Sequence, residues 1–132
     1  MDYCRDGDLE DYIKKKKRLT EKEAVNMLRQ CINGLGELHE INFWHRDMKP
    51  PNVLIENGRF LICDYGLSSV AIQNPNSMAM LSSVGSPLYA AHEVLTGGSY
   101  NSSIDVFSTG VMIYEAIYEI TPWPARSIQE LI

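Results

Sequence analysis

The stretch His45-Arg46-Asp47-Met48-Lys49-Pro50-Pro51-Asn52 constrains this chain more than any other. It gathers a carboxylate, an ammonium and an amide into a few positions, and two prolines stiffen the turn between them. Asp47 and Lys49, two residues apart, can face one small volume, and Asn52 can fold back over it. Farther along comes Asp64-Tyr65-Gly66, a second acid followed by a glycine that permits a sharp turn. Between the two clusters, Val53-Leu54-Ile55 and Phe60-Leu61-Ile62-Cys63 read as short strands around Glu56-Asn57-Gly58-Arg59, and Asn-Gly is the strongest short hairpin signal. Such a hairpin puts Asn52 at the start of its first strand and Asp64 just past its second, so the two arrive side by side. This set suits a polyanion handled with metal ions. A carboxylate and an amide hold the metal, the lysine meets a phosphate, and the remaining acid takes a proton from a hydroxyl.

The pattern resembles the protein-kinase family, whose motifs run H-R-D-L-x-x-x-N and then D-F-G. Met48 stands here in place of the leucine and Tyr65 in place of the phenylalanine. Gly85-Ser86-Pro87-Leu88-Tyr89-Ala90-Ala91-His92-Glu93 is similar to the family's G-[TS]-P-x-Y-x-A-P-E, with His92 where proline is expected. Asp105-Val106-Phe107-Ser108-Thr109-Gly110-Val111 is similar to its D-V-W-S-x-G-V. The resemblance implies ATP and Mg2+ as cofactors and serine or threonine hydroxyls of proteins as acceptors, because Lys49 and G-S-P-x-Y match the serine/threonine type. It makes Asp47 the catalytic acid-base, Lys49 the partner of the transferred phosphate, and Asn52 and Asp64 the Mg2+ ligands. At the front it puts Met1 at the gatekeeper position, the backbone of Asp2 and Cys4 against adenine, Asp8 on a ribose hydroxyl and Leu54 beneath the base. His45 and Tyr65 would join an internal column leading to Asp105, which anchors the catalytic loop, and Gly66 would give the following loop its turn. Ser82 and Ser83 would be a phosphorylation switch pairing with Arg46, the alternative being an ordinary solvated pair. Glu93 pairs in the family with an arginine that this chain does not reach. Within the family, M-D-Y-C-x-x-G-D-L-x-D-Y-I and V-G-S-P-L-Y look most like the autophagy-initiating, uncoordinated-51-like kinases.

The resemblance implies a mainly α fold, a kinase-like C-terminal lobe with one small β-hairpin, truncated at both ends. Residues 1–132 would be a partial kinase domain, the hinge and large lobe, without the small lobe and the final helices. No glycine-rich G-x-G-x-x-G loop, V-A-I-K lysine or partner glutamate occurs. Each electrostatic donor of that sort is typically worth ~10²–10³ in rate. The isolated chain is therefore expected to bind ATP weakly and phosphorylate little, while a complete form would be an active kinase. A kinase-shaped binding scaffold without chemistry and a poorly folded remnant are the competing readings.

Composition adds limits. A chain of 132 residues, 45% hydrophobic and 22% charged, is at most one compact unit. A net charge of -5 argues against general nucleic-acid binding. Cys4, Cys31 and Cys63 lie far apart without metal-ligand spacing and read as thiols of a reducing compartment. With no apolar run near ~20 residues and no signal-like N-terminus, a cytoplasmic or nuclear protein is expected, cytoplasmic being the default, and the kinase resemblance implies protein substrates and regulatory protein partners.

Local patterns complete the reading. Leu9, Tyr12 and Ile13 begin a short helix that Asp8 would cap if it is not a ribose ligand, and Lys14 to Arg18 suit that helix's C-terminus. Thr20-Glu21-Lys22-Glu23 reads as a capping box. After it, Ala24, Leu28, Cys31, Ile32, Leu35 and Leu38 mark a buried stripe, close packing would explain Gly34 and Gly36, and His39 is a packed or surface histidine. Residues 67–84 read as a loop. Ile104 to Ile117 reads as a helix apolar around most of its circumference, and hence buried on all sides. Thr121-Pro122-Trp123-Pro124 ends it under an aromatic lid, and another helix starts at Ile128.

Overall fold

The computed structural model describes residues 6–67, 69–70 and 87–132. The expected roles of Met1, Asp2, Cys4, Ser82, Ser83 and Ser86 fall outside the described residues. The chain is predominantly helical. Helix α1 spans Leu9–Lys16, with Asp8 as its N-cap, Leu9 and Ile13 buried, and Lys14, Lys15 and Lys16 in its last turn. Helix α2 spans Glu21–Glu40. It begins with the expected capping box, in which Thr20 Oγ1 accepts from Glu23 N and the Glu23 carboxylate accepts from Thr20 N. Lys16 donates to that same carboxylate, and this bond, followed by those from Thr20, lowers the Glu23 pKa to about 2.

The buried face of α2 is Ala24, Met27, Cys31 and Leu35. Ile32, expected in this stripe, is instead exposed, and Met27 takes up the periodicity on the inner side. Gly34 is explained by packing, since a Cβ there would sit 3.2 Å from Ile62 Cδ1; Gly36 is not, because nothing lies within 4 Å of its Cβ position. Burial pushes the Cys31 thiol up to about 11, as befits an inert core thiol.

After α2 the chain turns at Asn42, which takes a left-handed φ of 55°, into strand β1, Phe43–Trp44. Strands β2, Val53–Glu56, and β3, Arg59–Ile62, form the hairpin read from Asn57-Gly58, and both turn residues have positive φ, 50° and 75°. A second ladder has no counterpart in the sequence reading. Strand β4, Ser69–Val70, lies within the stretch read as loop and pairs antiparallel with β1, Phe43 opposite Val70. Two-residue strands carry no periodicity that a sequence can display.

Beyond these lie a short helix α3, His92–Leu95, the long α4, Ser103–Tyr118, and α5, Ile128–Leu131. His92 is the first residue of α3 after the Ala91 N-cap, the position that tolerates the family's proline and any residue that needs no N–H partner. Helix α4 is not buried on all sides. Ile104, Asp105, Ser108, Thr109, Val111, Met112 and Ala116 face inward, whereas Val106, Phe107, Tyr114 and Tyr118 are exposed. The reason is that α4 packs along one side only, against α2 and the turn at Pro87–Tyr89. Trp123 forms the lid by stacking on Phe107 at 5.8 Å and donating its indole N–H to Leu88 O.

A main core joins most of these parts, and Ala91, Val94 and Ile104 form a second, smaller cluster. Leu9 and Ile13 of α1, the inner face of α2, Val53 and Ile55 of β2, and Met112 and Ala116 of α4 all meet in the main core, together with Met48. Each of the larger aliphatic and methionine side chains in it contributes roughly 1.5–3 kcal/mol by leaving water. Among the described residues no helix is long and apolar enough to cross a membrane.

Candidate active site

Residues 45–52 alternate between anchors and chemistry. His45, Met48, Pro50 and Asn52 are buried, while Arg46, Asp47 and Lys49 stand between them partly exposed. The buried positions fix the loop to the core, and this holds the others still. Pro50–Asn52 form a tight turn, with Asn52 N donating to Lys49 O at 3.0 Å.

The polar side chains converge. Lys49 Nζ lies 2.8 Å from Asp47 Oδ2, and the two side chains are only 15% and 14% exposed. Asn52 Nδ2 donates to the same oxygen at 2.9 Å and to Asp47 O at 2.7 Å. With its amino group so committed, the Asn52 carbonyl oxygen is the atom left for a further ligand. The hairpin brings Asp64 near: Cys63 N donates to Asn52 O at 2.9 Å, and Asp64 follows directly. Asp64 is exposed and adopts φ 60°, a left-handed conformation uncommon outside glycine.

It is Asp64, not Gly66, that takes the positive φ. A Cβ on Gly66 would lie 3.1 Å from Asp64 Oδ1, which accepts the Gly66 N–H at 3.2 Å, so a larger residue there would push on the Asp64 carboxylate.

His45 links the two halves. Its Nε2 meets Cys63 O at 2.9 Å and its Nδ1 accepts from Asp47 N at 3.3 Å, a pair that fits the neutral ring carrying its proton on Nε2. Its ring meets Tyr65 edge-on at 5.4 Å. The Tyr65 hydroxyl donates to Ile62 O, and partial burial raises its pKa.

Underneath lies Asp105, 1% exposed. Its Oδ1 accepts from Arg46 N at 2.7 Å and its Oδ2 from His45 N at 2.9 Å. Arg46 itself sits at φ 65°, so the carboxylate holds a strained peptide in place. The Arg46 guanidinium donates to the Tyr100 hydroxyl at 3.2 Å. A residue missed in the sequence adds to this cluster: His39 Nε2 lies 2.8 Å from Asp105 Oδ2. Its only signal was a histidine in the last turn of a helix, too common a feature to single out.

Of the remaining candidates, Leu54 lies on the outward face of β2 and forms an isolated bridge with Asp8. Asp8 Oδ1 is engaged as the N-cap, accepting from Asp11 N at 2.8 Å. Glu93 makes no ion pair among the described residues. Tyr89 donates instead to Glu115 of α4, which ties the end of the 64–93 segment to the core, and burial, with Glu115 beside it, raises the phenol's pKa.

Asn52 and Asp64 together offer an amide oxygen and a carboxylate, hard donors suited to Mg2+, which takes most of its ligands from phosphate and water. Among the described residues no group of three or more His, Cys, Asp and Glu could hold a metal by itself. The donor set therefore fits a cation brought in on a polyphosphate.

Comparison with known proteins agrees with this geometry. The chain is 38% identical over 133 residues to the serine/threonine protein kinase OSK3 of Oryza sativa subsp. japonica, across 99% of its own length and 26% of the relative's. It is 37% identical over 129 residues to the SNF1-related protein kinase catalytic subunit alpha KIN12 of Arabidopsis thaliana, covering 97% and 26%. With the probable serine/threonine-protein kinase HSL1 of Saccharomyces cerevisiae it shares 33% over 135 residues, covering 100% and 9%. The chain thus spans about a quarter or less of the length of these relatives. The family description "Protein kinase domain" matches residues 1–132, and on that match the chain belongs to the protein kinase domain family.

Proposed function

We propose that this chain is the hinge and large-lobe part of a serine/threonine protein kinase that transfers the γ-phosphate of ATP to protein hydroxyls. One observation carries the reading: the Asp47 carboxylate is held by Lys49 Nζ at 2.8 Å and Asn52 Nδ2 at 2.9 Å beside the exposed Asp64. An acid meant only for structure would be buried with its donors, as Asp105 is. Asp47 orients a serine or threonine hydroxyl and accepts its proton, and Lys49 neutralises charge on the transferred phosphate. Asn52 Oδ1 and the Asp64 carboxylate would hold Mg2+, which when bound screens the phosphates of ATP. Leu54 lines the floor beneath adenine, and Asp8 meets the ribose through the oxygen its cap leaves unused.

In a kinase-shaped scaffold without chemistry, nothing would require Asp47, Lys49 and Asn52 together, and their convergence, with Asp64 brought near by the Cys63–Asn52 backbone bond, weighs against that alternative. Phosphate on Ser82 or Ser83 would pair with the Arg46 guanidinium, and regulatory protein partners belong to the same reading. The finer placement among uncoordinated-51-like kinases rests on the front motif and V-G-S-P-L-Y. The relatives named above carry other subgroup names. A cytoplasmic location belongs to the same reading.

The test is Asp47→Asn in a form that supplies the rest of the domain. Phosphate transfer should fall at least ~10²-fold, the lower end for loss of a general base, while nucleotide affinity changes little. Transfer at the unaltered rate would overturn the assignment.

A further inference from the structure

Tyr65 stands where the family's motif carries phenylalanine, and its hydroxyl makes a bond that phenylalanine cannot. The hairpin supplies the acceptor. Cys63 N donates to Asn52 O on the β2 side, so Ile62 O, at the opposite side of the same trans peptide, points away from β2. The Tyr65 hydroxyl donates to that open-edge carbonyl at 3.0 Å. The next carbonyl, Cys63 O, lies 2.9 Å from His45 Nε2. Both peptides before Asp64 are therefore held, and Tyr65 after it is tied back to Ile62. Inside this closed loop Asp64 keeps φ 60°, which costs an aspartate more than a glycine, and its Oδ1 accepts the Gly66 N–H at 3.2 Å. Without the hydroxyl, Tyr65 keeps only ring contacts, with His45 at 5.4 Å and Phe43 at 6.2 Å. Such contacts let a ring slide, and Asp64 can then relax to a negative φ.

We infer that Tyr65 is a positioning residue whose hydroxyl latches the segment from Ile62 to Tyr65 and so holds Asp64 in its left-handed conformation. The inference rests on reading Asp64 as a ligand of the cation that ATP brings. In that reading the aspartate must be in place before the cation arrives, and the latch keeps it there without using either carboxylate oxygen.

The test is solvent-exchange NMR of backbone amides in the 132-residue chain, with Tyr65→Phe and with Tyr65 replaced by 4-aminophenylalanine. Phenylalanine removes only the donor, and the amino group of the second replacement puts N–H donors back at the place of the hydroxyl. In Tyr65→Phe the Gly66 amide should exchange about fivefold faster, as expected for losing one neutral hydrogen bond, because it is protected only while Asp64 keeps its conformation. The Cys63 amide, bonded across the hairpin, should change by less than about twofold, which separates a released Asp64 from a loosened hairpin. The 4-aminophenylalanine chain should return Gly66 most of the way to the rate in the unaltered chain, a recovery that a purely packing role for the ring would not require. Equal Gly66 exchange in Tyr65→Phe and the unaltered chain, an equal acceleration of Cys63, or no recovery with the amino group would overturn the inference. Because exchange is read without nucleotide, none of these results bears on the kinase assignment, which stands or falls with Asp47→Asn.

Discussion

Replacing Asp105 by alanine removes the acceptor that ties the 45–52 loop to helix α4. A buried amide, His45 N at 2.9 Å, and a part-buried one, Arg46 N at 2.7 Å, lose their partner, and the carboxylate's surroundings admit almost no water. Each buried donor left unsatisfied costs about 1–3 kcal/mol. His39 loses a bond as well, but its side chain is 20% exposed and can turn toward solvent, so it adds little. Part of the loss is offset because a desolvated charge disappears. The net expectation is about 2–4 kcal/mol, a large share of the ~5–15 kcal/mol that a domain typically has. Urea unfolding followed by tryptophan fluorescence measures it, since Trp44 precedes His45 and packs on Tyr100 at 5.9 Å. Val25→Ala, at an exposed position of α2, is the control and should move stability by less than ~0.5 kcal/mol. A loss below ~1 kcal/mol for Asp105→Ala would show that the loop is held by something else, and the reasoning about the strained Arg46 peptide would fail.

Two further expectations concern stability. Glu23 has its folded pKa lowered from 4.5 to about 2, so its bonds to Lys16 and Thr20 contribute stability above pH 4.5, and that contribution fades as pH falls toward 2. Glu23→Gln should therefore melt lower than the unaltered chain at pH 7, by roughly 0.5–1 kcal/mol of capping and exposed ion-pair energy, with the gap closing near pH 2; a gap independent of pH would contradict this. Gly36→Ala should stabilise α2 by about 0.5–1 kcal/mol in urea unfolding, because its Cβ meets nothing within 4 Å and the helix gains propensity. A destabilised Gly36→Ala chain would mean that the exposed side of α2 is covered.

The parts legible in the sequence are those in which chemistry and local structure coincide. Asn57-Gly58 announced its turn because only left-handed backbone closes so short a hairpin, and the observed φ values of 50° and 75° meet that need. Thr20 and Glu23 announced the start of α2 because both partners of a capping box lie within one turn. The convergence of Asp47, Lys49 and Asn52 followed from their closeness along the chain. Less was visible where distant segments decide the outcome. His39 and Asp105 are 66 residues apart, and nothing local in either marks the bond between them. Ile32 obeys helical periodicity yet faces out, and α4 is apolar on a face that no described element covers. The pairing of β1 with β4 depends on where the 64–93 segment returns, which no pattern within it specifies. The left-handed turn at Asp64, two residues before Gly66, had no marker in the sequence, because aspartate adopts that backbone far less often than glycine.

The account turns on whether Asn52 and Asp64 take a cation that arrives with a polyphosphate next to Asp47. Manganese paired with ATP, titrated into the isotope-labelled 132-residue chain, tests this directly even at weak affinity, because paramagnetic broadening reports proximity in a minor complex. The amides of Asp47, Asn52 and Asp64 should broaden first and together, those of Val25 and Glu119 should stay sharp, and excess Mg2+ should restore the lost signals. Broadening spread over the acidic surface, or centred away from residues 47–64, would contradict the account.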